Sequence, residues 1–486
     1  MMLQAVVRRR GTNHAGWQFL PVAAFAGITA VAVGAAIAYS PFVAFGLVLI
    51  LLVAVCRSRE TTVALWLGVR VLMFSGYVPL LLGELMLIVI TIVAVARRGF
   101  AGQGLRAPRS PLLWLLLLGL VGLNLAYFGF DIESRDYAIE IFVENALLIA
   151  LIANTESRWS RDGAVSAVSV ILAGVGGVAA LEWATGRVLL QNQARTAYEP
   201  LAALHTFEGV GRLGSVLLNP DYMAIAMVLG FVVWAGIAVE LGGLGRWIAA
   251  LVATALLGVA LLTVSRSVFL GAPVGLGVLT YFAISKRLIS FGHVALAVAG
   301  GSAALFLALT LLPNAWLRVT TAPTDPLRVG AYETALQIIA VHPLEGLGAG
   351  WNRYLALAEQ YRVSEQYRPL SHPHNSLLEL AAMLGLPVAL VVVLLIGKVF
   401  GAGLHTRKDA AVSAIPLAGV AAMVAMSVAG QSITVPVLSN VFWAMWAVAG
   451  QRSRDPQRAA HPEPIVDPGL KPVAALKGSQ VDAVTS

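Results

Sequence analysis

Two histidines and an asparagine stand at positions 372, 374 and 375, directly before a leucine-rich apolar stretch. Imidazole titrates near pH 6.5, so His372 or His374 is able to take a proton from a hydroxyl at ambient pH. A helix starting there also offers free N–H groups, which favour anions such as phosphate. The plainer alternative makes Asn375 a helix N-cap and both histidines interfacial polar residues. Three arginines stand in comparable places. Arg266 sits between Ser265 and Ser267 at the junction of two apolar runs. Arg212 precedes Asn219-Pro220, a pair expected to break the helix that contains it. Arg328 opens a stretch of helical periodicity, 327–340, followed by Gly346, Gly348 and Gly350. A guanidinium binds phosphate oxygens through two parallel hydrogen bonds. The plain alternative for such an arginine is snorkelling to lipid headgroups, and for the glycines an ordinary flexible loop.

What must position these residues is a membrane. Of the 486 residues, 58% are hydrophobic and only 12% charged, against about 25% charged in soluble domains. A helix in lipid satisfies its own backbone and tolerates apolar residues on every side. Runs near the roughly 20 residues needed to cross occur at 17–39, 41–55, 61–75, 78–96, 111–128, 137–152, 163–183, 216–238, 247–264, 268–284, 291–312, 376–396, 411–429 and 434–449. The runs 41–55 and 61–75 are short, and the second carries Arg70. The expected fold is therefore all-α: a polytopic transmembrane helix bundle of roughly 12–14 spans. The run at 17–39 exceeds the roughly 7–15-residue core of a secretory signal, and reads as a retained first span.

The net charge of +8 does not imply nucleic acid, because the basic residues lie in small groups between apolar runs. About two thirds of the 33 lysines and arginines fall on one side, the cytoplasmic one by the positive-inside rule. Residues 1–16 and the polar tail 451–486 then lie in the cytoplasm, the tail being disordered in composition. The long segment 313–375 is extracytoplasmic and contains surface helices. Within it, Leu327, Ala331, Ala335, Ile338 and Ile339 form an apolar face suited to the outer membrane surface. Cys56 is the only cysteine, so an intramolecular disulfide is excluded.

Taken in order, these segments resemble the O-antigen ligases and the related O-antigen and exopolysaccharide polymerases. The resemblance runs over residues 212–385. It rests on Arg-x-x-Gly with Asn-Pro, Ser-Arg-Ser opening a helix, Arg followed by His-Pro-x-x-Gly-x-Gly, and His-Asn before a Leu-rich helix ending in Leu-Gly. It implies a glycosyltransferase of the bacterial cytoplasmic membrane, with both termini cytoplasmic and its site on the outer side. The donor implied is a polyprenyl-diphosphate-linked oligosaccharide, and the acceptor a hydroxyl on a glycan or lipid. His374 matches the family's histidine better than His372 and takes the role of general base. Arg266 and Arg212, with Arg328, face the diphosphate, where clustered positive charge stabilises the leaving group without a metal or cofactor. His372, Asn375 and Glu379 are secondary candidates for diphosphate or glycan contact, Glu379 as an orienting group. Tyr354, Tyr361 and Tyr367 are candidates for stacking on sugar.

The rival reading is a polytopic transporter or lipid-linked-glycan flippase. Glu84, Glu144, Glu182 and Glu240 lie in or near spans, but no internal repeat accompanies them. Ligation to a lipid core, polymerisation of repeat units and transfer to protein remain open, although only a short tail follows residue 450. The oligomeric state is not legible.

Overall fold

The computed structural model describes residues 59–74, 80–100, 102, 104–155, 163–186, 204–207, 210–285, 326–363, 372–405 and 414–449. The expected spans at 17–39, 41–55 and 291–312, the N-terminus and the tail lie outside the described residues.

The helices in chain order are α1 (Arg59–Phe74), α2 (Leu80–Phe100), α3 (Pro111–Phe128), α4 (Ile132–Ala138), a π-turn (Ile139–Val143), α5 (Glu144–Asn154) and α6 (Gly163–Thr185). A hairpin of β1 (Leu204–Phe207) and β2 (Val210–Leu213) follows. Then come α7 (Pro220–Glu240), α8 (Gly243–Leu262), α9 (Ser267–Ser285), α10 (Pro326–Val341), α11 (Trp351–Ala358), α12 (Ser376–Leu384), α13 (Leu386–His405), α14 (Ala414–Ser427) and α15 (Pro436–Val448). Apart from the hairpin, the described chain is the all-α helix bundle expected. Among the described residues, five helices, α3, α6, α7, α8 and α9, are long and apolar enough to cross a membrane.

The face each helix buries follows its residue spacing. On α3, Trp114, Leu117, Val121 and Asn124 recur at helical intervals and are buried, while Leu112, Leu115, Leu116 and Leu123 point outward. That outward stripe is leucine, which suits lipid rather than water. α7 lies among α6, α8, α9 and α14 and is buried nearly all round. Small residues allow this closeness. A Cβ on Gly275 would stand 2.5 Å from the side chain of Val232, and one on Gly236 2.6 Å from that of Ile415.

Several boundaries differ from expectation for local reasons. Pro220 does not break a helix but begins one. At the first helical position its missing N–H is not needed, and Asn219 caps it by accepting from the Asp221 N–H at 2.8 Å. The expected span 137–152 is divided into α4, the π-turn and α5. The expected span 376–396 is two helices, α12 and α13, separated at Gly385, whose φ is +89°. The helix expected at 327–340 is α10, but Ala331, Ala335 and Ile338 are fully buried in protein, α10 packing on α12. Its apolar face therefore serves the core and not the membrane surface. Its exposed face carries Val329 and Leu336 beside Glu333 and Gln337.

Candidate functional site

The helix turns that carry the chemical motifs meet at one end of the bundle. Asn375 caps α12, its side-chain oxygen accepting from the N–H groups of Leu377 at 3.0 Å and Leu378 at 3.1 Å. The plain expectation for Asn375 therefore holds, and the cap fixes where His374 stands. His374 itself has φ +52°, a left-handed conformation costly for a residue with a side chain. Its ring meets that of His372 edge to face, with centroids 4.3 Å apart. Ser376, fully buried, ties this corner to the α14–α15 connection. Its hydroxyl accepts from the N–H of Ser432 at 3.0 Å and donates to the Gly430 carbonyl at 3.3 Å. Asn375 reaches the same connection through the Val428 carbonyl at 3.4 Å.

Arg328, at the start of α10, donates to the Ala429 carbonyl at 2.9 Å, and Tyr332 donates to the Val428 carbonyl at 2.9 Å. Arg328 is thus drawn beside the histidine corner. The Ser265-Arg266-Ser267 hinge joins from the other side. Ser265 donates to Asp221 Oδ1 at 2.6 Å and lies 2.9 Å from the Ser267 hydroxyl, leaving Arg266 half-buried between two anchored serines. Val264, just before the hinge, has φ +51°. For a β-branched residue that is strained backbone, which persists only where the surroundings enforce it. Of the five non-glycine residues with positive φ among those described, Ser215, Leu218, Val264 and His374 all belong to the segments meeting here. Arg212 lies on β2 opposite His205 of β1; its side chain is outside the described residues.

Electrostatically, the corner mixes signs. Burial, followed by the neighbouring His374, holds the His372 imidazole down to about 3, against a weaker upward pull from Asp221. His372 is therefore neutral at physiological pH and a weaker base than an ordinary imidazole, whereas it can still hydrogen-bond. Among the described residues, no group of three or more His, Cys, Asp or Glu side chains is placed to hold a metal ion.

Glu379, one turn into α12, is fully buried and turned to protein donors. Its Oε1 accepts from Trp351 Nε1 at 2.9 Å and the Tyr137 hydroxyl at 3.3 Å, and its Oε2 from Gln431 Nε2 at 2.7 Å. Gln431 in turn accepts from the Tyr222 hydroxyl at 2.9 Å. The orienting role expected of Glu379 fits this arrangement; contact with substrate does not. Tyr354 is fully buried, and so is not on a surface where sugar could stack. Tyr361 lies 2.6 Å from His342 Nε2, and His342 Nδ1 lies 2.9 Å from Glu345. Tyr367 is outside the described residues.

The glycines of His-Pro-x-x-Gly-x-Gly have a structural task. Gly346 and Gly348 lie against the last turn of α12, the N–H of Leu347 donating to the Ala382 carbonyl at 2.9 Å and that of Gly348 to the Met383 carbonyl at 2.8 Å. A Cβ on Gly346 would stand 2.6 Å from the Met383 carbonyl, and one on Gly385 2.0 Å from that of Leu344. The loop is packed backbone to backbone rather than being a flexible tether.

Sequence reasoning missed Asp221, Gln431, Tyr222 and Trp351. Asp221 was visible beside Asn219-Pro220, and Gln431-Ser432 as a polar interruption between two apolar runs. No curated protein matches the chain. Residues 249–393 match the family model described as O-antigen ligase, and over that stretch the resemblance drawn from the motifs holds. The match includes Arg266, Arg328, His372, His374, Asn375 and Glu379, and begins after Arg212.

Proposed function

From the premise of an O-antigen ligase domain at residues 249–393, we propose that this chain is a membrane glycosyltransferase of ligase or polymerase type. It moves an oligosaccharide from a polyprenyl-diphosphate carrier to an acceptor hydroxyl on the outer side of the bacterial cytoplasmic membrane. The observation that carries the reading is the meeting of four chain-distant segments at one bundle end: the start of α7, the Ser-Arg-Ser hinge, the start of α10 and the strained entry to α12.

The chemistry divides among these segments. His374 takes the proton of the acceptor hydroxyl as its oxygen attacks the anomeric carbon. The bond from that carbon to the diphosphate breaks, and the negative charge gathers on phosphate oxygens. Arg266 and Arg328, together with Arg212 of β2, receive that charge. Asp221 holds the Ser-Arg-Ser hinge in place through Ser265. His372, kept neutral, adds a hydrogen bond without adding repulsion between cations. Glu379 keeps α12 registered against α11 and the α14–α15 connection.

The experiment is reconstitution of the purified protein in lipid with a polyprenyl-diphosphate oligosaccharide and an acceptor glycan or lipid. The product expected is a longer or transferred glycan together with free polyprenyl diphosphate, formed equally with and without EDTA. Carrier flipping without any new glycosidic bond would replace this reading with the transporter one.

A further inference from the structure

A second cluster of ionisable groups lies inside the helix bundle and takes no part in the transfer chemistry. Arg70 of α1 is 2% exposed. Its Nη2 lies 3.3 Å from Glu140 Oε1, and its Nε lies 3.1 Å from Glu144 Oε2. Glu140 belongs to the π-turn and Glu144 opens the helix that follows. A π-turn costs helix regularity and is frequent at functional places; here it carries the chain between two carboxyls that both reach one guanidinium.

Among the described residues the charges do not balance. Two carboxylates face one cation, and the groups beyond them add more negative charge. Glu84 of α2 and Asp136 of α4 are within electrostatic reach, and Arg135 is already paired with Asp136 at 2.9 Å. Polar neighbours on α5 and α15 are neutral: Asn145 donates to Ser439 at 2.8 Å, and Asn440 donates to Asn145 at 2.7 Å. An excess buried carboxylate is costly in such surroundings, and binding a proton removes the cost.

A separate observation shows where a proton is missing. Glu144 Oε1 is buried and has no hydrogen-bond partner within ordinary reach among the described residues. A buried carboxylate oxygen without a donor is costly, and a proton on the carboxyl removes that charge. Glu140, 20% exposed, and Asp136, 31% exposed, connect the cluster to the surface.

We propose that Glu140 and Glu144 together hold one bound proton against Arg70, forming a proton-binding site within the helix bundle that is distinct from the candidate glycan-transfer corner. The site needs neither donor nor acceptor glycan to be occupied, so its test is independent of the transfer reaction.

The test is infrared spectroscopy of the full-length protein in lipid nanodiscs at neutral pH, with glutamate carboxyls labelled with carbon-13. The wild-type-minus-Glu144→Gln difference spectrum is expected to contain a protonated-carboxyl C=O band that shifts with the label. Glu140→Gln, at the more exposed position, carries the same test if Glu144→Gln does not fold. Removing either carboxyl leaves a one-to-one ion pair that needs no proton, so the band disappears in both variants. A difference spectrum containing only ionised carboxylate bands overturns the proposal. So does a protonated band that appears in choline buffer and vanishes in sodium buffer, which would assign the site to a sodium ion.

Discussion

Helix α12 begins and ends on two motif blocks, and the two ends are built in opposite ways. At its start, His374 is held in a left-handed conformation, Asn375 caps the helix, and side chains reach across to the carbonyls of the α14–α15 connection. At its end, Gly385 and Gly346 bring backbone against backbone, with Leu386 donating to the Pro343 carbonyl at 2.8 Å. One end keeps particular functional groups at a half-buried surface; the other keeps places where only hydrogen fits. A family motif therefore marks either a chemical group or a steric limit. Substitution separates the two, because loss of a group lowers turnover in a folded protein, whereas loss of a fit lowers stability first.

The largest effect is expected at the start of α12. His374→Ala should reduce glycan transfer by at least about a hundredfold, the lower range for a positioned acid–base group. Its thermal transition should stay within a few degrees of wild type, since the imidazole contributes no core packing. Gly385→Ala should show the reverse. Gly385, with φ 89° and ψ 161°, occupies a region essentially reserved for glycine, which costs an alanine about 1–3 kcal/mol, and the Cβ 2.0 Å from the Leu344 carbonyl forces the loop apart. A total of about 3 kcal/mol or more is expected, read as a lowered unfolding midpoint with turnover per folded molecule preserved. A normal midpoint with absent turnover would place chemistry at this end too and erase the distinction. Arg266→Lys should lower turnover about tenfold or more, because an ammonium cannot make the paired contacts of a guanidinium. Asn375→Ala, which removes the cap, should cost about 1 kcal/mol and lower activity moderately by loosening the approach of His374.

The two ends were not equally legible. The start of α12 was readable because its cues are local: a capping residue, two imidazoles and an apolar run lie within a few positions. The end was not, because its partners, Leu344 and Met383, are far apart in the chain and act through carbonyls that every residue possesses. Pro220 misled for a similar reason. Proline inside an apolar run suggests a break, but the helix only starts there, and Asn219 signals the start. The apolar face of α10 was correctly placed on Ala331, Ala335 and Ile338, yet periodicity does not say whether protein or lipid covers such a face. Glu379 was readable as a polar residue in a buried helix. Its donors on α4, α11 and the α14–α15 connection were not, since no short-range pattern links Tyr137, Trp351 and Gln431.

The finest test of the comparison concerns His372, where the expected effect is smallest. Its imidazole, pressed down to about 3 by burial and by His374, stays neutral in the folded protein. In the unfolded chain it takes a proton below roughly pH 6.5. Between those values the unfolded state binds the extra proton, so stability falls as pH is lowered from about 6.5 towards 3, and the contribution is complete above that window. Glu345 behaves differently. The hydrogen bond from His342 lowers its carboxyl, so its contribution is complete in the upper part of that window and is lost only as pH falls below the ordinary carboxylate range. His372→Gln keeps a neutral polar side chain and removes the titration. The unfolding midpoint of that variant should therefore depend less on pH between about 6.5 and 4 than that of wild type. An unchanged slope would mean that the histidine corner is open to water. The start of α12 would then be an ordinary exposed helix end, and its contrast with the closely packed end at Gly385 would rest on fit alone.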